Sequence, residues 1–193
     1  MIELQSKMWL SLFFTLTLVV IANSIGLSFL PKLWTYMDIL TIQNIKNGAL
    51  ETDFKTKRFN RTTLVICGTF TINEDLSNID FSMKFFFSPL GNNQFMLIPY
   101  MWRREPLCDF FNKSFQKNIQ PGLEKVSDVP KAVKGQPVCP LYVKKTYTIE
   151  EYYLPEDMFP HHFQPGSYRC DIHFYKANGK EIQETMVVVV KLY

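Results

Sequence analysis

Along most of the chain, apolar and polar residues alternate in short runs, the period-two signature of half-buried strands. The clearest case lies at 81–88, where Phe81, Met83, Phe85 and Phe87 share one face opposite Ser82, Lys84, Phe86 and Ser88. A strand at 62–72 puts Leu64, Ile66, Phe70 and Ile72 on one side and Val65, Cys67, Thr69 and Thr71 on the other. Residues 33–42 read as a first strand from their β-branched and aromatic content. Asn47-Gly48 marks a turn, and 51–60 reads as a charged, solvated connection. Pro89 to Asn93 closes the 81–88 strand, and Phe95, Met96, Leu97 and Ile98 open another. At Pro106 the period changes: Leu107, Phe110, Phe111 and Phe115 recur at helical spacing, which predicts a short helix stopped by Pro121-Gly122.

Residues 124–140 lack periodicity and read as a long loop, and 141–153 return to strand composition. A proline-rich corner at 154–166 leads into two last strands joined at Asn178-Gly179, the signature of a two-residue hairpin turn. That turn predicts Lys176 opposite Glu181, Phe174 opposite Gln183 and Cys170 opposite Val187. Met186 to Val190 is apolar at every position, which predicts cover on both faces. Many strands joined by turns predict a mainly β domain, an antiparallel sandwich or cup with one short helix.

The first residues add a compartment. Lys7 precedes an apolar run from Met8 to Ala22, and Ala22-Asn23-Ser24 fits the small-x-small cleavage rule of a signal peptide. The run is shorter than the ~20 residues of a membrane span. The expected organisation is therefore a signal peptide at 1–24 and a single domain at 25–193, secreted to the extracellular space. Cys67, Cys108, Cys139 and Cys170 make an even count, which reads as two disulfides in such a chain, with three connectivities open. Two sequons, at Asn60 and Asn112, agree with secretion and are expected glycosylation sites. A formal charge of only +3, spread over the chain, argues against a nucleic-acid partner.

Catalytic chemistry is not in view. No nucleophile elbow, phosphate loop or dinucleotide fingerprint occurs, so no enzyme and no cofactor is expected. His161-His162 lies in a proline-flanked loop without metal-ligand spacing, and no metal site is expected. His173 reads as a surface residue of a strand, Arg103-Arg104 as a solvated basic spot. Glu150 and Glu151 are strand neighbours that point to opposite faces and cannot converge on a substrate. The Phe81-Met83-Phe85-Phe87 face suits either a plain core or the wall of an apolar cavity, and periodicity does not separate the two.

Several blocks in order then carry a resemblance. They are Gly68-Thr69-Phe70-Thr71-Ile72-Asn73-Glu74-Asp75-Leu76, Phe87-Ser88-Pro89-Leu90-Gly91-Asn92-Asn93-Gln94-Phe95, Cys108-Asp109-Phe110, Cys139-Pro140-Leu141, Leu154-Pro155 and Pro165-Gly166-Ser167-Tyr168. Together they resemble the small secreted insect proteins of the lipid-recognition (ML) superfamily, including the chemosensory A and B groups of flies and, more distantly, the ganglioside activator protein. Two places depart from that pattern: Cys67 before Gly68-Thr69, and Leu141-Tyr142-Val143 where the family has Gly-Tyr-Tyr. The resemblance implies an immunoglobulin-like β-cup that holds a hydrophobic ligand between two sheets. It also implies a Cys108–Cys139 bridge, which leaves Cys67 with Cys170; closing a loop of that size is worth roughly 3–4 kcal/mol.

The expected function is a non-catalytic carrier or presenter of an apolar small molecule, a lipid or hydrocarbon such as a pheromone, in chemosensation, with a membrane receptor as a further partner. Phe81, Met83, Phe85, Phe87, Leu97, Met186 and Val188 are the expected cavity-lining positions. The rival expectation is a secreted protein–protein interaction module with a filled core.

Overall fold

A computed structural model describes residues 31–61, 63–131, 139, 144–155, 159–177, 179 and 182–193. The expected signal peptide lies outside them, as do Asn178, Lys180, Glu181 and residues 132–138 and 140–143, from the expected loop and the start of the strand expected after it. Eight strands form two antiparallel sheets, and β1 is Met37–Gln43, β2 Leu50–Arg58, β3 Leu64–Ile72, β4 Ile79–Ser88, β5 Met96–Pro106, β6 Lys145–Tyr152, β7 Gly166–Lys176 and β8 Glu184–Leu192. One sheet has the order β1-β8-β7-β4-β5, the other β2-β3-β6. The expected two-sheet β-sandwich is therefore the fold, with apolar inner faces set by strand alternation.

Two edges needed more than alternation to find. The segment expected to be a solvated connection is β2, paired along its length with β3. Its inward residues include Leu50, Thr52 and Phe54, while Glu51, Asp53, Lys55 and Lys57 alternate with them; charges on an edge strand discourage pairing with other chains. β5, the far edge of the larger sheet, runs well past the expected four residues and tolerates Pro99 because an edge needs no second ladder.

The register of the last hairpin also differs from expectation. Cys170 lies opposite Val188 and Phe174 opposite Glu184, one residue from the predicted pairing. A one-residue slip exchanges the faces of a whole strand. The observed register puts Cys170, Ile172 and Phe174 on the same face as Met186 and Val188. β7 ends at Lys176 and β8 starts at Glu184, and Asn178 of the expected turn lies outside the described residues. On β8 only Val190 and Leu192 are fully buried. Met186 and Val188 on the inner face and Val187 and Val189 on the outer face, beside Asp171 and Arg169, are all half-buried, so the expected full cover on both faces is not found.

The helical stripe is present but longer than expected. It comprises α1 (Leu107–Phe110), a π-helical turn (Phe111–Phe115), α2 (Gln116–Asn118) and α3 (Gln120–Leu123). Pro121-Gly122 does not stop it: Pro121 sits in the first turn of α3, where its missing N–H costs nothing. This segment touches β4 and β5 at one end and β6 at the other, closing one side between the sheets. The opposite side is pinched by the β1–β2 connection. There the Asn44 amide bonds both the N–H (2.7 Å) and the carbonyl (2.9 Å) of Phe54, and Ile45 donates to the Thr52 hydroxyl at 2.9 Å.

The Cys108–Cys139 disulfide is formed and ties α1 to the following loop. The second bridge is not: Cys67 and Cys170 are free. Cys67 is on the outer face of β3, its thiol against the Lys55 carbonyl, while Cys170 points between the sheets from β7. Facing opposite ways on different sheets, they have no route to each other. The expectation of two disulfides is thus corrected to one.

Candidate ligand cavity

Between the sheets lies a cavity of about 340 Å³ whose wall is almost wholly apolar. A cavity of ~150 Å³ already holds a benzene-sized guest, so this one has room for a substantial apolar group. β4 contributes Phe81, Met83 and Phe85, β7 contributes Cys170, Ile172 and Phe174, and β8 contributes Met186 and Val188. From the smaller sheet come Leu50, Thr52 and Phe54 on β2, Ile66 and Phe70 on β3, and Ile149 and Tyr152 on β6. The third wall is helical: Leu107, Phe110, Phe111, Phe115, Ile119 and Leu123 all face inward.

The helical wall is built of rings meeting at steep angles. Phe81 and Phe110 meet edge to face at 4.8 Å, Trp102 backs Phe110 at 5.8 Å, and Phe111 meets Phe115 at 5.0 Å. Facing them across the space are thinner side chains, Cys170, Ile172, Met186 and Val188. Rings from the helical segment and both sheets, interleaved with these aliphatic groups, fit a flexible apolar chain.

Five of the seven expected lining residues, Phe81, Met83, Phe85, Met186 and Val188, are in the wall, and two are not. Phe87 packs against Tyr168 at 4.8 Å and over Gly166. Gly166 has φ of +145°, and a Cβ there would come within 2.6 Å of the Phe87 ring, so glycine is what lets the ring settle outside the cavity. Leu97 is 58% exposed. The β4–β5 ladder shifts register twice, and Leu97 ends opposite Phe86 on the outer face. Strand alternation counted from Phe95 cannot anticipate such bulges.

The helical wall and β2 were missing from the expected lining. The signal for the first was the 3–4 residue spacing continuing from Phe115 through Ile119 to Leu123. For β2 it was the alternation of Leu50, Thr52 and Phe54 with charged neighbours.

Polar groups on the wall are few and mostly engaged. The Thr52 hydroxyl accepts from Ile45, and the Tyr168 hydroxyl donates to the Gln164 carbonyl at 2.9 Å. Burial pushes the Cys170 thiol up to about 12, aided by the Asp171 charge, so it stays protonated. Tyr152 is 5% exposed and its hydroxyl has no partner among the described residues. Burial raises its pKa above the usual phenol range.

Other singled-out residues play structural parts. His173 is not a surface group: it is 9% exposed, and its Nδ1 lies 3.0 Å from the Thr185 hydroxyl. Burial, then the Lys84 charge, hold its pKa below the usual value, against the opposing pull of Asp171. Arg104 is not merely solvated. It pairs with Asp80 at 2.8 Å, donates to the carbonyls of Lys176 and Gly179, and stacks on Tyr175. His161 and His162 are exposed, as expected. Glu151 pairs with Lys57 at 2.9 Å, whereas Glu150 is exposed.

Asn60 is exposed, its side-chain oxygen accepting from the Thr63 N–H, and Asn112 is half-buried, its oxygen accepting from Cys139. Among the described residues, no group of three or more His, Cys, Asp or Glu side chains is placed to hold a metal. No helix among them is long and apolar enough to cross a membrane.

No curated protein matches the chain. Residues 77–170, from the turn before β4 to the middle of β7, match a family model described as a protein of unknown function, DUF1091. That stretch, just short of half of the chain, is similar to the family and supplies β4, the helical wall and β6 of the cavity.

Proposed function

We propose that this protein is an extracellular, non-catalytic carrier of an apolar small molecule, of the lipid-recognition (ML) type. The observation that carries the reading is the apolar cavity of about 340 Å³ enclosed by both sheets and the helical segment. Burying each methylene of a guest yields about 0.8 kcal/mol. A chain of roughly ten methylenes therefore gains about 8 kcal/mol, enough to exceed an association cost of about 4 kcal/mol or somewhat more. The free Cys170 thiol and the unpaired Tyr152 hydroxyl are not arranged with a base or an acid for turnover. Chemosensation is the setting that the sequence resemblance implies, and secretion follows from the signal-like leader.

The test is native mass spectrometry on protein secreted from insect cells, with a denatured sample alongside. A molecule of defined mass that departs only on denaturation is the expected result. A clean apo mass that persists after exposure to a library of lipids and hydrocarbons would overturn the reading.

A second reading, a module that binds a protein partner, is favoured by one observation. Met96, Leu97 and Met101 on the β5 edge are 61%, 58% and 55% exposed. Pull-down with a β5 variant carrying polar residues at these three positions separates it from the first.

A further inference from the structure

We propose that the ligand is a neutral oxygenated chain, an ester, ketone or alcohol with a long apolar tail, whose oxygen accepts a hydrogen bond from Tyr152. The inference rests on the carrier reading and narrows it from any apolar guest to a class with one polar atom.

Most polar atoms on the wall already have partners. Thr52 is tied to Ile45 and Tyr168 to Gln164, at 2.9 Å each. The Cys170 thiol is a weak donor in an apolar setting. Only the Tyr152 hydroxyl is buried without a partner among the described residues of this wall. A buried, unpaired hydroxyl costs about 1–3 kcal/mol, and native folds rarely leave one without a reason.

Nor is the ring free to take its hydroxyl elsewhere. Tyr152 is paired with Ile66 in the β3–β6 ladder, and its ring lies on Gly122 of α3 so closely that a Cβ there would sit 2.7 Å from it. Glycine at 122 is the condition for this packing. A trapped water is a poor substitute partner, because it needs two to four polar neighbours and the surrounding wall offers almost none. A ligand oxygen needs only the one.

Charge narrows the class. Among the described residues no cationic side chain lines the cavity, so an ionised carboxylate would be buried without compensation from them. A bare hydrocarbon would leave the hydroxyl unpaired. A neutral carbonyl, ester or hydroxyl oxygen meets both conditions.

The experiment is a dye-displacement titration with four probes of matched chain length: n-tetradecane, 1-tetradecanol, methyl tetradecanoate and sodium tetradecanoate. Each is run on wild type and on Tyr152→Phe, which keeps the ring on Gly122. Wild type is expected to bind the ester and the alcohol about 5–10-fold more tightly than the alkane, the worth of one hydrogen bond. Tyr152→Phe is expected to erase that preference and leave the alkane affinity unchanged. Equal affinity of wild type for alkane and ester, or a preference that survives in Tyr152→Phe, overturns this inference while the carrier reading stands. Tightest binding of the carboxylate overturns it too. Failure of folded wild type to bind any probe removes the carrier reading, and this inference with it.

Discussion

At the end of the sandwich where β1 meets β8, Trp34, Ile39, Phe163 and Leu192 fill the interior. Under the helical segment, Phe81, Phe110, Phe115 and their neighbours leave about 340 Å³ empty. Both halves are apolar and rich in rings, so composition does not explain the difference; geometry does. In the filled half Phe163 stacks nearly parallel on the back of the cavity-wall residue Tyr168 at 4.8 Å, and Trp34 is held by a bond from its indole to the Pro160 carbonyl. In the hollow half the helical segment stands between β4 and β5 at one end and β6 at the other. Its Phe110 meets Phe81, Trp102 and Phe111 edge to face, while strand rings such as Phe54, Phe70 and Phe174 line the rest of the space. A hollow core follows from how far apart its walls are held, with the same residue types that elsewhere make a solid one.

Removing bulk from the solid half should cost far more than removing it from the hollow one. Trp34→Ala removes a ring that is almost fully buried and is expected to cost about 3–5 kcal/mol, read from the urea midpoint. Affinity per folded molecule for a cavity probe should not change. A loss below about 1 kcal/mol would mean that the filled half is no better packed than the hollow one.

Adding bulk sharpens it. Leu192→Phe overfills the packed half and is expected to cost about 1–3 kcal/mol. Val188→Phe, on the cavity wall, has space to enter; its stability should stay within about 1 kcal/mol of wild type while probe binding is lost. Equal destabilisation by the two substitutions would show that the space is not available to a side chain, and so not to a guest.

The same geometry explains what could be read in advance. The inward face of Phe81, Met83 and Phe85 was legible because alternation is local, and the Leu107-Phe110-Phe111-Phe115 stripe because helical spacing is local. What depended on relations between strands was not. Leu97 was placed inside because alternation carries no information about the bulges in the β4–β5 ladder. The hairpin register differs from expectation by one residue because it is set along the long β7–β8 ladder, from Gly166 opposite Leu192 to Phe174 opposite Glu184, which a turn motif alone does not encode. The resemblance implies a Cys67–Cys170 bridge, whereas the strands turn the two thiols to different faces. β2 was passed over because its charges are those of an edge, and an edge is defined by where a strand lies in the sheet. That the shared face encloses a cavity depends on the distance between the sheets, which residue pattern does not encode.

The smallest expected contrast concerns the polar contacts that fasten each half. The filled half is closed by groups that do not titrate near neutrality, among them the Thr35 hydroxyl on the Tyr193 carbonyl and the Trp34 indole. The hollow half is fastened at its end by Glu184 of β8, whose Oε1 accepts from the Ala49 N–H at 2.7 Å while Oε2 is buried without a partner among the described residues. Burial raises the Glu184 pKa above 4.5, and the Ala49 and Leu50 amides only partly offset it. The folded state therefore holds this proton more tightly than the unfolded chain does. Its contribution is full below the ordinary glutamate range and is lost as pH rises through the raised value. His173 works in the opposite direction: with its pKa held below 6.5, its contribution is present at higher pH and falls as pH drops. Glu184→Gln keeps an oxygen for Ala49 and removes the ionisation. Between about pH 4 and about pH 7 the variant's thermal midpoint should gain on that of wild type as pH rises, with the histidine contribution common to both. Parallel curves for the two proteins would mean that Glu184 is as well solvated in the fold as in the open chain, and that the hollow half is fastened no differently from the filled one.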